Sequence, residues 1–164
     1  MNYFQLFLLL LIFSCNKNEK KPVESIHSYV DNDITGNPLS VEIYKEDKPS
    51  IKINSDNLHQ YDGGNTLLFG GVYADLFNND GEKTSEMYSD SAIIFNRSDS
   101  VKAIGDVIVE SLKGFKLHTT EIILYNDVKL VKSDSHIMFT SQDGDTLYGK
   151  GFWSNFDMSN SQFH

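Results

Sequence analysis

From about Ser40 onward, short apolar stretches and alternations recur between turn residues, and no stretch has the 3.6-residue period of an amphipathic helix. Val41-Glu42-Ile43, Ile51-Lys52-Ile53, Val107-Ile108-Val109, Ile137-Met138-Phe139 and Phe152 to Met158 are the clearest cases. Between them stand Asp62-Gly63-Gly64, Asn79-Asp80-Gly81, Lys113-Gly114 and Asp143-Gly144. Such steps accept the positive φ that tight hairpins demand. Period two puts alternate side chains on opposite faces, so each stretch buries one face only against another layer. The pattern predicts an all-β meander of about ten short antiparallel strands, closed as a sandwich, barrel or jelly roll.

Composition agrees. The chain has 164 residues, enough for one domain, and at 40% hydrophobic and 12% aromatic it carries an ordinary core. Only 3 Pro stand beside 11 Phe and 8 Tyr, which suits pleated surfaces. With 14 Lys+Arg against 23 Asp+Glu the net charge is −9, and no basic cluster supplies the footprint that a phosphate backbone requires. Nucleic acid is therefore excluded as an expected partner.

The N-terminus reads as a processing signal. Leu6 to Phe13 is unbroken apolar, and the polar run Asn16 to Lys21 follows Ser14 and Cys15. A bilayer span needs about 20 apolar residues, so this run is a signal-peptide core rather than an anchor helix. Ile12-Phe13-Ser14-Cys15 resembles a bacterial lipobox, although Phe13 is bulky and Met1 to Gln5 carries no Lys or Arg. The chain has 1 Cys, which cannot form an internal disulfide and stands directly after the apolar run. A buried structural Cys is the alternative. The expected organisation is a signal peptide over 1–15 with Cys15 as lipidation site, a tether over 16–35, and a β-domain over 36–164.

No catalytic constellation is visible. The 5 His are scattered at His27, His59, His118, His136 and His164, no serine sits in a nucleophile elbow, and no Gly-rich loop precedes a helix. No enzyme activity, cofactor or metal is expected. Asp31-x-Asp33-x-Thr35-Gly36 with Glu42 matches an EF-hand loop in spacing. Its flanks are a Lys-rich tether and strand-like sequence instead of two helices, so calcium binding is set aside. A small residue followed by Asp or Asn recurs at Ala74-Asp75, Ser89-Asp90, Gly105-Asp106, Ser133-Asp134 and Ser154-Asn155, a weak repeat or simple strand-edge polarity. Apolar alternation on many strands leaves two options, a filled core or an apolar slot between sheets that could hold acyl chains.

An ordered series of segments from about Val72 to Phe156 resembles the LptC family, the membrane-tethered periplasmic component of lipopolysaccharide (LPS) export. The series runs Gly71-Val72-Tyr73-Ala74-Asp75 to Asp80-Gly81, then Ser85 to Ala92, then Ala103-Ile104-Gly105-Asp106-Val107-Ile108-Val109. Thr120-Glu121-x-Ile123-x-Tyr125-Asn126 is similar to the family's T-E-x-L-x-W-D, and Asp145 to Phe152 to its d-t-x-x-G-x-G-f. His118 stands where the family has Leu, which predicts a bulge or altered edge pairing there, and Asp106 replaces Asn. His164 follows soon after the Gly-x-Gly-Phe strand, and by this resemblance that would shorten the edge expected to hand over cargo.

This resemblance implies a twisted antiparallel β-jelly roll, an open sandwich with an apolar groove of the LptA/OstA-like kind. Lipid A acyl chains would lie in the groove while phosphates stay solvated or cation-bridged outside; apolar burial at about 25 cal/mol per Å² exceeds the screened repulsion of an acidic surface. The implied partners are LPS, the inner-membrane LPS ABC exporter subunits, and an LptA-like bridge protein joined by strand addition. The family's usual transmembrane anchor is missing, so lipidated Cys15 would hold the protein in the periplasm, in the inner membrane of a Gram-negative-type envelope. Strand parity selects Val107, Val109, Ile123, Tyr125, Ile137, Phe139, Phe152 and Phe156 as groove-facing, and a register slip of one would invert each choice. Gly149 and Gly151 are expected where another backbone comes close. The competing reading is a structural β-sandwich lipoprotein that docks a protein partner without binding lipid.

Overall fold

The computed structural model describes residues 32–163. Nine strands form one antiparallel meander in strict sequence order: β1 (Asn32–Lys45), β2 (Lys48–Gln60), β3 (Thr66–Phe77), β4 (Lys83–Phe95), β5 (Ser100–Ser111), β6 (Lys116–Tyr125), β7 (Leu130–Thr140), β8 (Thr146–Asn155) and β9 (Ser161–Phe163). The all-β jelly-roll class is as expected. The strands are longer and fewer than the sequence pattern suggests, because breaks in alternation that look like strand ends are bends within continuous strands. β1 also begins at Asn32, so residues 32–35 pair with β2 where a tether was expected. The Asp33 to Glu42 stretch is therefore extended sheet rather than a calcium loop, and Glu42 pairs with Lys52 across the strands at 3.0 Å.

The bends line up. Register shifts fall between Thr35 and Leu39 on β1, Ser55 and Asn57 on β2, Phe69 and Val72 on β3, Tyr88 and Ser91 on β4, Ile104 and Val107 on β5, Thr119 and Ile123 on β6, and Ser133 and His136 on β7. A bulge leaves ladder groups unpaired and sharpens the local twist, so a row of them folds the sheet across its own strands. The carbonyls so released are met by small buried hydroxyls. Ser55 Oγ donates to Asn57 O at 3.0 Å, Ser89 Oγ to Ser91 O at 3.1 Å, Ser133 Oγ to Glu121 O at 2.7 Å, and Thr119 Oγ1 to His136 O at 2.9 Å. This explains most of the small-then-acid steps: Ser89-Asp90, Gly105-Asp106 and Ser133-Asp134 lie on the bend, the hydroxyl or glycine turned in and the carboxylate exposed. Ala74-Asp75 and Ser154-Asn155 lie away from it.

Folding brings the two halves of the sheet face to face. Phe152 pairs with Ser133, six residues before Phe139, which in a flat sheet would separate them by about 20 Å. Their rings are 5.6 Å apart. Polar groups stitch hairpin ends that lie several strands apart in the sheet: Ser50 on β2 donates to Asn126 after β6, and Ser85 Oγ on β4 to Phe156 O after β8 at 2.5 Å. Ser111 Oγ at the end of β5 donates to Asp157 O at 2.7 Å, with Lys113 paired to the Asp157 carboxylate at 2.7 Å. The apolar interior lies between the half-sheets, with Ile53, Ala74, Leu76, Met87, Val109, Leu117 and Phe152 among its fully buried members. Among the described residues every buried side-chain nitrogen or oxygen has a hydrogen-bond partner.

Candidate functional site: the apolar interior and its open edge

The interior is built by alternation on either side of the bend. On β5, Val101, Ala103, Val107 and Val109 all point inward, because its bulge restores the original parity. On β6 parity flips: Leu117 and Thr119 face in before the bulge, Ile122 and Leu124 after it. The sequence-selected groove residues therefore do not share one face. Val107, Val109, Ile137, Phe139, Phe152 and Phe156 are buried inside, whereas Ile123 and Tyr125 lie on the outer face, half-buried beside Lys102 and Leu130. The bulge reverses the choice on this strand by the one-residue slip that inverts a face. It falls just after His118, where altered pairing was expected, and shifts both the β5 and the β7 register.

Two glycines expected to permit close approach differ from each other. A Cβ on Gly149 would meet Leu147 and Ile137 side-chain atoms at 3.7 and 3.9 Å, ordinary packing. Gly151 sits opposite the β7 bulge with φ of 82°, so its need is conformational.

The roll is closed unevenly. β9 pairs only with Phe152–Ser154, which leaves the outer edge of β8 from Thr146 to Gly151 without a neighbouring strand among the described residues. Leu147 faces the interior opposite Phe139 and is 44% exposed; Tyr148 beside it is 75% exposed. Phe163 closes part of this mouth, its ring 5.3 Å from Phe139 and 5.5 Å from Phe152, while Phe115 stacks on Phe139 at 5.8 Å. The sequence pattern did not single out Leu147, Phe163 or Phe115, because an edge position is defined by which strand is missing beside it. At the opposite edge β1 presents Val41 and Ile43 against the core and Ile34 exposed.

The outer face is polar. Lys83 joins Asp75 and Glu86 at 2.6 Å each and Tyr73 Oη at 3.1 Å. Burial and the hydrogen bond to Asp75 push the Tyr73 phenol up to about 12. Burial alone would raise Asp75, but the Lys83 ammonium and Tyr73 hydroxyl outweigh it and hold that carboxyl below its ordinary value. Among the described residues no three His, Cys, Asp or Glu gather as a metal set. The geometry offers an apolar interior and, among the described residues, bare strand edges.

Comparison with known proteins fits this geometry. The profile of the family described as "Lipopolysaccharide-assembly, LptC-related" matches residues 4–162, from the apolar N-terminal run through β8 and into β9, well beyond the half-chain that carried the motif resemblance. Comparison with curated proteins gives no significant match. Cys15 and the rest of 1–31 lie outside the described residues. A match over nearly the whole chain and an all-β roll of the expected class lead to one conclusion: the chain belongs to the LptC-related family of lipopolysaccharide-assembly proteins, envelope components that act in lipopolysaccharide transport.

Proposed function

We propose that this protein is a periplasmic, membrane-anchored component of the LPS export bridge. It receives LPS from the inner-membrane ABC exporter, shelters the lipid A acyl chains between its half-sheets, and passes them to an LptA-like partner by strand addition. Cys15, acylated after removal of residues 1–14, supplies the anchor. One observation carries the reading: the apolar interior reaches the surface at a bare strand edge, where Leu147 is exposed beside Phe139 and Phe163. A partner strand added to Thr146–Gly151 would extend the sheet and the apolar face together, so cargo moves without meeting water. No chemistry on the cargo is needed, since shielding acyl chains is worth about 0.8 kcal/mol per buried CH₂.

The second reading, a β-sandwich lipoprotein that docks a protein and never binds lipid, has support in the packing. Val107, Val109, Ile122 and Leu124 have no exposed surface, as in a filled core. A photo-reactive probe placed singly at Phe139, Leu147 and Ile123 of the full chain, incubated with purified LPS, separates the two. Crosslinks at Phe139 and Leu147 but not at the outer-face Ile123 support the export reading. Crosslinks at none of them, from folded protein, leave the docking lipoprotein.

A further inference from the structure

At the end of the roll where the β1–β2 and β3–β4 turns meet the β6–β7 turn, a cavity of about 340 Å³ is walled by Lys45, Glu46, Lys48, Asn78, Asn79 and Lys129. Three of these six residues are lysines in a protein of net charge −9. Lys129 is only 6% exposed. Its ammonium donates to Ser50 Oγ and lies 3.5 Å from Asn126 Oδ1, both neutral, and no carboxylate among the described residues is within ion-pairing distance. Lys45 donates to a backbone carbonyl, that of Asp127. Lys48 donates to Asn79 O at 3.1 Å and has one long ion pair, 3.7 Å to Asp80. Glu46, the only acid in the wall, is exposed.

A buried ammonium satisfied by neutral acceptors alone is costly, and a second lysine next to it raises the cost. Burial and the Lys45 charge outweigh the attraction of the Asp99 carboxylate and hold the Lys129 amine below its ordinary value. Its backbone adds to this, for Lys129 adopts φ of 53° in the turn. An anion bound in the cavity would repay the Lys129 charge. The three ammoniums around the cavity suit a tetrahedral oxyanion, which accepts several charge-assisted hydrogen bonds at once; the Asn78 amide is already given to Glu82 at 3.1 Å. Behind the cavity the Lys129 ammonium stands 5.8 Å from the ring of Phe156, a core residue, so the site adjoins the apolar interior.

We propose that this cavity is a phosphoryl-binding site, in which Lys45, Lys48 and Lys129 neutralise a phosphate group. The group is either free phosphate or the phosphate of a lipid whose chains enter the interior. The first source is independent of the export reading and the second rests on it.

Full-chain protein is titrated by calorimetry with inorganic phosphate against chloride at matched ionic strength, and separately with lipid A and dephosphorylated lipid A. The variants are Lys45→Met/Lys48→Met, which alters exposed and half-exposed positions, and Lys129→Met. Saturable phosphate binding weakened at least about tenfold in the double variant supports the site. Preference for lipid A over its dephosphorylated form, lost in the same variant, assigns the phosphate to the lipid. Equal binding of both lipids with no phosphate binding overturns the site and leaves the lipid reading intact. Phosphate binding with no lipid binding upholds the site and removes the export reading. Unchanged binding in both variants overturns the assignment even if one of them is less stable.

Discussion

Asp90 fills the space that a side chain on Gly105 would require. A Cβ at Gly105 would lie 2.5 Å from the Cβ of Asp90, whose carboxylate accepts the Asp106 N–H at 3.3 Å across the bend between β4 and β5. Gly105 is also at φ of 108°, outside what an L side chain tolerates. Glycine on one strand and a carboxylate on its neighbour thus build one step of the fold line, the first supplying room and the second a hydrogen-bond acceptor.

Gly105→Ala should therefore cost about 2 kcal/mol or more of unfolding free energy, measured by urea denaturation. Gly151→Ala should cost about 1–2 kcal/mol through its positive φ alone. Gly149→Ala should be neutral within about 0.5 kcal/mol or slightly stabilising, since its added methyl meets only ordinary contacts. Equal losses at all three would mean that close packing rather than the bend sets the requirement.

Adjacent residues on β6 should answer oppositely. Ile122→Ala opens a cavity in the interior and should destabilise by about 2–4 kcal/mol, whereas Ile123→Ala removes outer-face contacts and should cost about 1 kcal/mol or less. The reverse order would place the β6 bulge elsewhere.

Phe163 is 38% exposed, yet its ring covers both Phe139 and Phe152. Phe163→Ala should lower stability modestly, by about 1 kcal/mol, and raise LPS crosslinking at a probe on Phe139. Lower crosslinking would make the ring part of the binding surface rather than a cover over it.

Acid should weaken the fold partly through Asp75. Its carboxyl is held below the ordinary 3.8, chiefly because the Lys83 bond and the Tyr73 hydroxyl overcome desolvation. A lowered folded-state value means that its stabilisation is present above the ordinary value and is lost as pH falls through the lowered one. Asp75→Asn should flatten the decline in urea midpoint below about pH 5, where the carboxyl titrates through its ordinary and then its lowered value. An unchanged slope would move the acid response to other carboxylates, of which Asp157, paired with Lys113, is the first to test.

Cys15→Ala should leave the β-domain folded and release the protein from the membrane fraction. Metabolic labelling with an acyl-chain analogue should vanish in this variant. Label retained without Cys15 would remove the lipobox assignment and require another anchor.

The class of fold, the antiparallel meander and four of the turns can be read from the residues alone, since period two and Asp-Gly or Lys-Gly steps are local signals. Turns whose left-handed residues are Glu46, Asp47, Asp99, Lys129 and Met158 were not legible, because no glycine marks them. Ordered motifs also pointed to the family over half the chain. The inward face of β6, the mouth at Leu147 and Phe163, and the lysine cavity were decided only by tertiary structure. A bulge flips parity according to how two neighbouring strands register, and an edge or cavity exists only once the sheet has folded back on itself. Ser89, Gly105 and Ser133 were visible as a loose repeat, but their common task became readable only when the seven bends fell into one line across the sheet.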